Sequence, residues 1–287
     1  MDEARDYIRA MGGGLLIGLP LLFTQEVWQH AVLLPAWKIL LLLGLAAIVV
    51  IGYNAINGFR ADATIGEVVV DSVEAMGIGT IVAFVALLAL GRIDGGSSVR
   101  DIVGHVALES IPIAFGASLS RAQLSGAGDD EGREEDRRGG QTKSESEAGR
   151  LGPFQRLLVA AGGALLFALN VAPTEEPVFI GVGASPVMLL GVMALSLVVT
   201  LALVFFAEFG GRRHVSQGIL DRPIPETIAA YVISLLVAWT LLWSFGRVDG
   251  ASVVAITGMV VSLGLVASLG AAVGRLLVAS GGEREDG

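Results

Sequence analysis

Residues 187–207 read VMLLGVMALSLVVTLALVFFA, and the only polar side chains among them are Ser196 and Thr200. A second run, 39–54, reads ILLLLGLAAIVVIGYN and is apolar or Gly until Tyr53 and Asn54. About 20 such residues in α-helical form cross the roughly 30 Å hydrocarbon core of a bilayer. Working outward from these two runs, further apolar stretches divide each half of the chain into four. They are 10–27, 37–56, 69–91 and 99–120, then 157–174, 186–208, 226–246 and 251–279. The expected fold class is all-α: a polytopic transmembrane helical bundle of about eight helices.

Composition points the same way. The chain of 287 residues is 53% hydrophobic and 16% charged, with a mean hydropathy of +0.71. Soluble domains carry about 25% charged residues. There is no cysteine, which excludes disulfides and thiolate chemistry. The net charge is −9, and Lys38 and Lys143 are the only lysines, a halophile-like composition. Residues 1–10 lack the basic, apolar, small-residue order of a cleaved signal peptide, so none is expected.

The two halves echo one another. Gly12-Gly13-Gly14-Leu15-Leu16 returns as Gly162-Gly163-Ala164-Leu165-Leu166, and Thr24-Gln25-Glu26 as Thr174-Glu175-Glu176. Glu74 answers to Glu226, Gly91-Arg92-Ile93-Asp94 to Gly246-Arg247-Val248-Asp249, and Ser98-Val99 with Gly104 to Ser252-Val253 with Gly258. Five features in the same order, at an offset drifting only from 150 to 155, signal an internal duplication. The expected organisation is a first four-helix repeat over 1–124, a charged linker over 125–150 and a second repeat over 151–287. The linker is rich in Gly, Ser, Asp, Glu and Arg and cannot bury apolar surface, so it reads as a disordered tether. A regulatory or partner-binding segment is the competing reading.

Topology follows from Lys and Arg. With both termini and the linker cytoplasmic, 15 basic residues fall inside and 4 outside, the latter being Lys38, Arg92, Arg100 and Arg247. Four spans per half then make the repeats parallel, related by a pseudo-two-fold axis along the membrane normal. If the short first helix of each half only dips into the bilayer, the repeats are inverted instead.

Those first helices carry the most suggestive chemistry. Each begins with small residues and runs out of apolar residues before Thr24 or Thr174; Pro20 interrupts one copy and Asn170 holds the matching place in the other. Short, interrupted segments at matched positions point to discontinuous helices and a binding site. Glu26 and Glu176 are therefore the leading carboxylates for an ion path, since an ionisable group inside a membrane is costly and usually functional. The simpler reading caps the following segment at the outer interface. Glu74 and Glu226 form a second matched pair. Each precedes a long apolar run, where an acid favours the helix dipole; a cytoplasmic gate or second proton site is the rival. His105 and Glu109 are four residues apart, on one helical face, and could relay a proton. Met259 and Leu263 hold the matching places in the second half. Arg92 and Arg247 sit in tight Gly-Arg-x-Asp turns and read as snorkelling interfacial residues. No metal-ligand spacing, nucleophile elbow or phosphate loop is present, so no cofactor, metal or catalytic activity is expected.

The stretches Gly18-Leu19-Pro20-Leu21-Leu22-Phe23-Thr24-Gln25-Glu26 and Leu169-Asn170-Val171-Ala172-Pro173-Thr174-Glu175-Glu176, with the helix over 226–249, resemble a prokaryotic family of integral membrane proteins without an assigned function. The resemblance covers nearly the whole chain outside the linker and tails. It implies a membrane protein and brings no ligand or catalytic residue with it.

The expected function is an ion- or solute-handling, proton-coupled role in the cell membrane, with lipid as surroundings and a small ion or solute as partner. No nucleic-acid partner is expected. A non-transporting sensor or assembly subunit is the alternative, with the linker as its cytoplasmic contact. A lipid-modifying intramembrane enzyme would need a polar cluster at one depth.

Overall fold

The structure, a computed structural model, describes residues 2–57, 64–125, 153–210 and 223–282. The segment expected as a charged linker lies outside the described residues beyond Ser125, as do Arg60, Arg212, Arg213, His214 and Arg284.

All regular structure among the described residues is helical. The first half holds α1 (Asp2–Leu22), α2 (Gln25–Leu33), α3 (Ala36–Asn57), α4 (Ile65–Ala89) and α5 (Val99–Ser125). The second holds α6 (Pro153–Leu169), α7 (Glu176–Gly183), α8 (Pro186–Gly210), α9 (Pro223–Ser244) and α10 (Val253–Gly282). The bundle is thus polytopic, as the hydropathy requires, but has ten described helices where eight apolar segments were expected. The difference lies in two places. The segment over 10–27 divides into α1 and α2, and the residues expected as a turn after Thr174 contain α7. Thr24 causes the first break: its backbone is extended (φ −97°, ψ 111°), so the helix cannot continue through it.

Among the described residues six helices are long and apolar enough to cross a membrane: α3, α4, α5, α8, α9 and α10. Residues 10–22 of α1 and all of α2 qualify together as a seventh, although they are bent by 84°. The apolar part of α6, Phe154–Leu169, is shorter.

Local chemistry sets the ends. Pro153, Pro186 and Pro223 each open a helix, where the missing N–H costs nothing and φ is already helical. Thr64 caps α4 in a reciprocal box with Glu67: the Thr64 N–H donates to Glu67 Oε2 at 2.7 Å and the Glu67 N–H to Thr64 Oγ1 at 3.4 Å. α4 therefore begins earlier than the apolar run at 69 suggested. The first-turn acid is Glu67, and Glu74, expected at the helix start, lies inside it. The helices α4 and α9 end alike. Gly91 (φ +64°) and Gly246 (φ +72°) adopt the left-handed conformation that glycine tolerates. The following N–H then reaches back five residues, Arg92 to the Leu87 carbonyl at 2.9 Å and Arg247 to the Leu242 carbonyl at 2.8 Å. This is the Schellman arrangement.

In both halves the last helix is the hub. α5 packs against α1, α2, α3 and α4, and α10 packs against α6, α7, α8 and α9. Lipid is as apolar as leucine, so association rests on close approach of small residues. A methyl group on Gly13 would overlap Ser120 and press closely on the Gly116 carbonyl, and one on Gly163 would overlap the Gly270 carbonyl. A methyl on Gly104 would overlap the carbonyl of Ala31, and one on Gly258 that of Gly181. The halves meet where α3 packs on α6 and share one apolar cluster, which runs from Leu21 and Leu42 through Leu108 to Ala164 and Leu263. The most hydrophobic part of α8 is only 11% buried and that of α5 is 67% buried, so α8 is peripheral and α5 central.

Candidate functional site

Glu109 occupies the middle of α5. Its exposure is 0%, and neither carboxylate oxygen has a hydrogen-bond partner. Moving an unpaired carboxylate out of water costs several kcal/mol or more. His105, one turn earlier on the same face, is also buried, and its Nδ1 donates to the Asp101 carbonyl at 2.7 Å. It makes no bond to Glu109. The proline at 112, three residues later, lacks an N–H, so the Leu108 carbonyl loses its usual helical donor.

The seam between α1 and α5 fixes what Glu109 faces. Gly14 and Gly18 both meet Ile113, and Gly13 meets Ser120, so the two helices run antiparallel. Glu109, Ile113, Gly116 and Ser120 lie at helical spacing along one stripe. One turn beyond Ile113, Glu109 comes level with the end of α1 at Leu22. One further turn on, α2 crosses another face of α5, with Ala31 on Gly104. The buried acid therefore stands behind the break between α1 and α2.

The break has its own hydrogen bonds. The Thr24 hydroxyl donates to the Pro20 carbonyl at 2.5 Å and the Thr24 N–H to that of Leu21 at 2.9 Å. Glu26 is half-buried in the first turn of α2, and its carbonyl accepts from His30 Nδ1 at 2.7 Å. In the second half Glu176 is exposed in the first turn of α7. No hydrogen bond or ion pair joins Glu26 to Glu176 among the described residues. The Thr174 hydroxyl donates to the Val171 carbonyl at 2.7 Å. Asn170 Nδ2 donates to the Leu166 carbonyl at 2.7 Å, while Asn170 Oδ1 is buried without a partner. Each elbow thus has a buried polar group, a carboxyl from α5 in the first half and an amide from the elbow itself in the second.

The second acidic pair diverges. Glu226 is buried in the first turn of α9. Glu74 is half-buried in the interior of α4, two residues after Ser72, whose hydroxyl donates to the Val68 carbonyl and accepts from Asn54 Nδ2 at 3.0 Å.

Sequence reasoning missed a set of basic clasps at the elbow end of the bundle. Arg100 donates to the carbonyls of Val32 and Leu34 at 2.6 Å each, capping the C-terminus of α2. Arg247 binds Glu175 Oε1 at 2.5 Å and also the Pro173 carbonyl. Arg92 lies over the Trp28 ring, 4.4 Å from its centroid. Lys38, only 8% exposed, donates to the Trp243 carbonyl at 2.8 Å between the rings of Trp37 and Trp243. These are the four basic residues that charge counting set outside, gathered at one end. Arg247, expected to snorkel, instead turns onto the elbow. The signal available beforehand was the shared Gly-Arg-x-Asp turn; partners 66 to 205 residues away were not legible from it.

Among the described residues no three His, Asp or Glu side chains group as a metal site. Neither a curated protein nor a solved structure matches the chain. Over residues 6–278 it matches one family, and the chain therefore belongs to the family described as putative integral membrane protein (DUF2391), a multi-pass membrane protein of unknown function.

Proposed function

We propose that the protein is a proton-coupled, ion- or solute-handling carrier of the cell membrane, with Glu109 as its charge site. The single observation that supports this is a carboxyl at 0% exposure in a spanning helix, with both oxygens unpartnered. Ionisable groups retained inside membranes mark ion paths and proton relays. The interrupted first helix beside it supports the same reading, because discontinuous helices recur at carrier binding sites.

In this reading the halves are parallel repeats with cytoplasmic termini. The close approaches of Gly13 to Gly116 and of Gly163 to Gly270 recur at offsets of 150 and 154, and so do those of Ala31 to Gly104 and Gly181 to Gly258. Lys38, Arg92, Arg100 and Arg247 then face outward with the elbows.

The test is proton flux in proteoliposomes under an imposed pH gradient, with and without candidate monovalent cations and small solutes. The wild-type protein should carry flux and Glu109→Gln should abolish it, while Glu176→Gln, an exposed change, should leave most of it. Equal flux in wild-type and Glu109→Gln liposomes rejects Glu109 as the charge site.

A further inference from the structure

We infer that Glu109 binds the coupling proton itself, not a metal cation, and that the proton reaches it through the α1–α2 elbow and not through the α6–α7 elbow. This deepens the carrier reading above and rests on it.

The choice of proton follows from the oxygens available. A desolvated hard cation takes about six oxygen ligands. Of the carbonyls at the break, those of Pro20 and Leu21 already accept from Thr24. On the helices packed against α5, the titratable side chains described are Tyr7 on α1, Glu26 and His30 on α2, Lys38 and Tyr53 on α3, and Glu67, Asp71 and Glu74 on α4, and α6, which meets α5 at Phe115, adds the charged Arg156. On α5 itself they are Asp101 and His105, beside the permanently charged Arg100. None of these forms a hydrogen bond with Glu109. One carboxyl alone is a poor cation cage and a sufficient proton site.

The choice of elbow follows from two asymmetries that fall on the same half. The buried acid has Leu263 as its counterpart, so only the first elbow has a carboxyl behind it. The clasps differ as well. Arg247 holds the second elbow at the break itself, through Pro173 and Glu175. In the first half Gln25 stands where Glu175 does, and Arg92 lies over Trp28 instead. Arg100 grips only the far end of α2, at Val32 and Leu34. Among the described residues the break at Phe23 and Thr24 has no basic clasp, and α2 can turn about it while its far end stays anchored.

The chain has no cysteine, so single-cysteine labelling is clean. Protein in nanodiscs is titrated by difference infrared spectroscopy and, separately, labelled at Phe23→Cys or at Ala172→Cys with a membrane-impermeant maleimide. The expected results are a titrating carboxylic-acid band that disappears in Glu109→Gln, shifts in Glu109→Asp and persists in Glu26→Gln and Glu226→Gln. Labelling at Phe23→Cys should change several-fold across that titration and lose its pH dependence when combined with Glu109→Gln. Labelling at Ala172→Cys should not change. An unchanged band in both Glu109 variants overturns the site, and pH-dependent labelling at 172 but not at 23 overturns the route. Neither measurement needs flux: an intact band without flux leaves the site standing and removes the carrier reading, whereas flux with a Glu109-independent band does the reverse.

Discussion

The Arg247 guanidinium bridges two points of one elbow, binding Glu175 Oε1 at 2.5 Å and the carbonyl of Pro173. The contact closes the α9–α10 turn onto the start of α7. Its two parts are unequal. The Glu175 side chain is 55% exposed, so solvent screens the ion pair to well under about 1 kcal/mol. The bond to a backbone carbonyl comes from a side chain only 15% exposed, and losing it leaves that carbonyl to be resolvated. Arg247→Ala should therefore lower stability by about 1–3 kcal/mol and Glu175→Gln by about 0.5 kcal/mol or less. Thermal unfolding of the two variants in detergent checks the order. Equal losses would mean that the ion pair carries the contact.

Lys38 presents the same contrast across the junction of the halves. Its ammonium donates to the Trp243 carbonyl at 2.8 Å and lies 4.0 Å from Asp249, whose side chain is 69% exposed. Asp249→Asn should change stability by less than about 0.5 kcal/mol. Lys38→Met removes both the charge-assisted bond and the cation held between Trp37 and Trp243, and should cost about 2–3 kcal/mol. Met188 stands at the matching place in the second half, so methionine fits that helix register. The check is the unfolding midpoint of each variant, read together with the emission of Trp37 and Trp243.

The glycines separate by what surrounds them. Gly104→Ala must displace the Ala31 backbone and Gly258→Ala the Gly181 backbone, neither of which can rotate away. Overpacking of this kind costs about 1–3 kcal/mol. Gly12 and Gly191 also lie in helices but have nothing within 4 Å of an added methyl. Alanine at either should be neutral or stabilise by about 0.5–1 kcal/mol through helix propensity. Unfolding midpoints of the four variants should split into two groups. A loss at Gly12 equal to that at Gly104 would show that composition, and not packing, sets the response.

The membrane bundle was legible because hydropathy is a property of long stretches, and 39–54 or 187–207 announce it without any tertiary knowledge. The turns at Gly91 and Gly246 were legible because left-handed backbone has a residue signature. The short helices were not. QEVWQHAVL in α2 has nine residues of mixed polarity, with Val27 and Ala31 buried one turn apart, which is too short a pattern to separate from a turn. The start of α4 was misplaced because the apolar run begins after the Thr64–Glu67 cap that sets the boundary. His105 and Glu109 could be paired by spacing, but not their depth or the absence of a bond between them. Depth depends on which helices cover α5, and nothing local records that. The clasps of Arg100 and Lys38 depend on partners far along the chain for the same reason.

The segment from 126 to 149 separates a carrier from a sensing or assembly subunit. α5 ends at Ser125 and α6 begins at Pro153, so the segment is the covalent tether between the halves. Its acidic, Gly- and Ser-rich composition offers little apolar surface for binding but many charges for a partner to read. Replacing it with an uncharged Gly/Ser chain of equal length keeps the reach and removes the charges. The halves already meet through α3 and α6 and share one apolar cluster, so the bundle should assemble as before. A carrier whose charge site is Glu109 should then keep its flux in proteoliposomes, while a subunit that signals through this segment should lose partner recruitment and growth complementation. Flux and complementation measured on the same variant decide between them, and loss of flux with an unchanged unfolding midpoint would place the working part of the protein in the segment and not in the bundle.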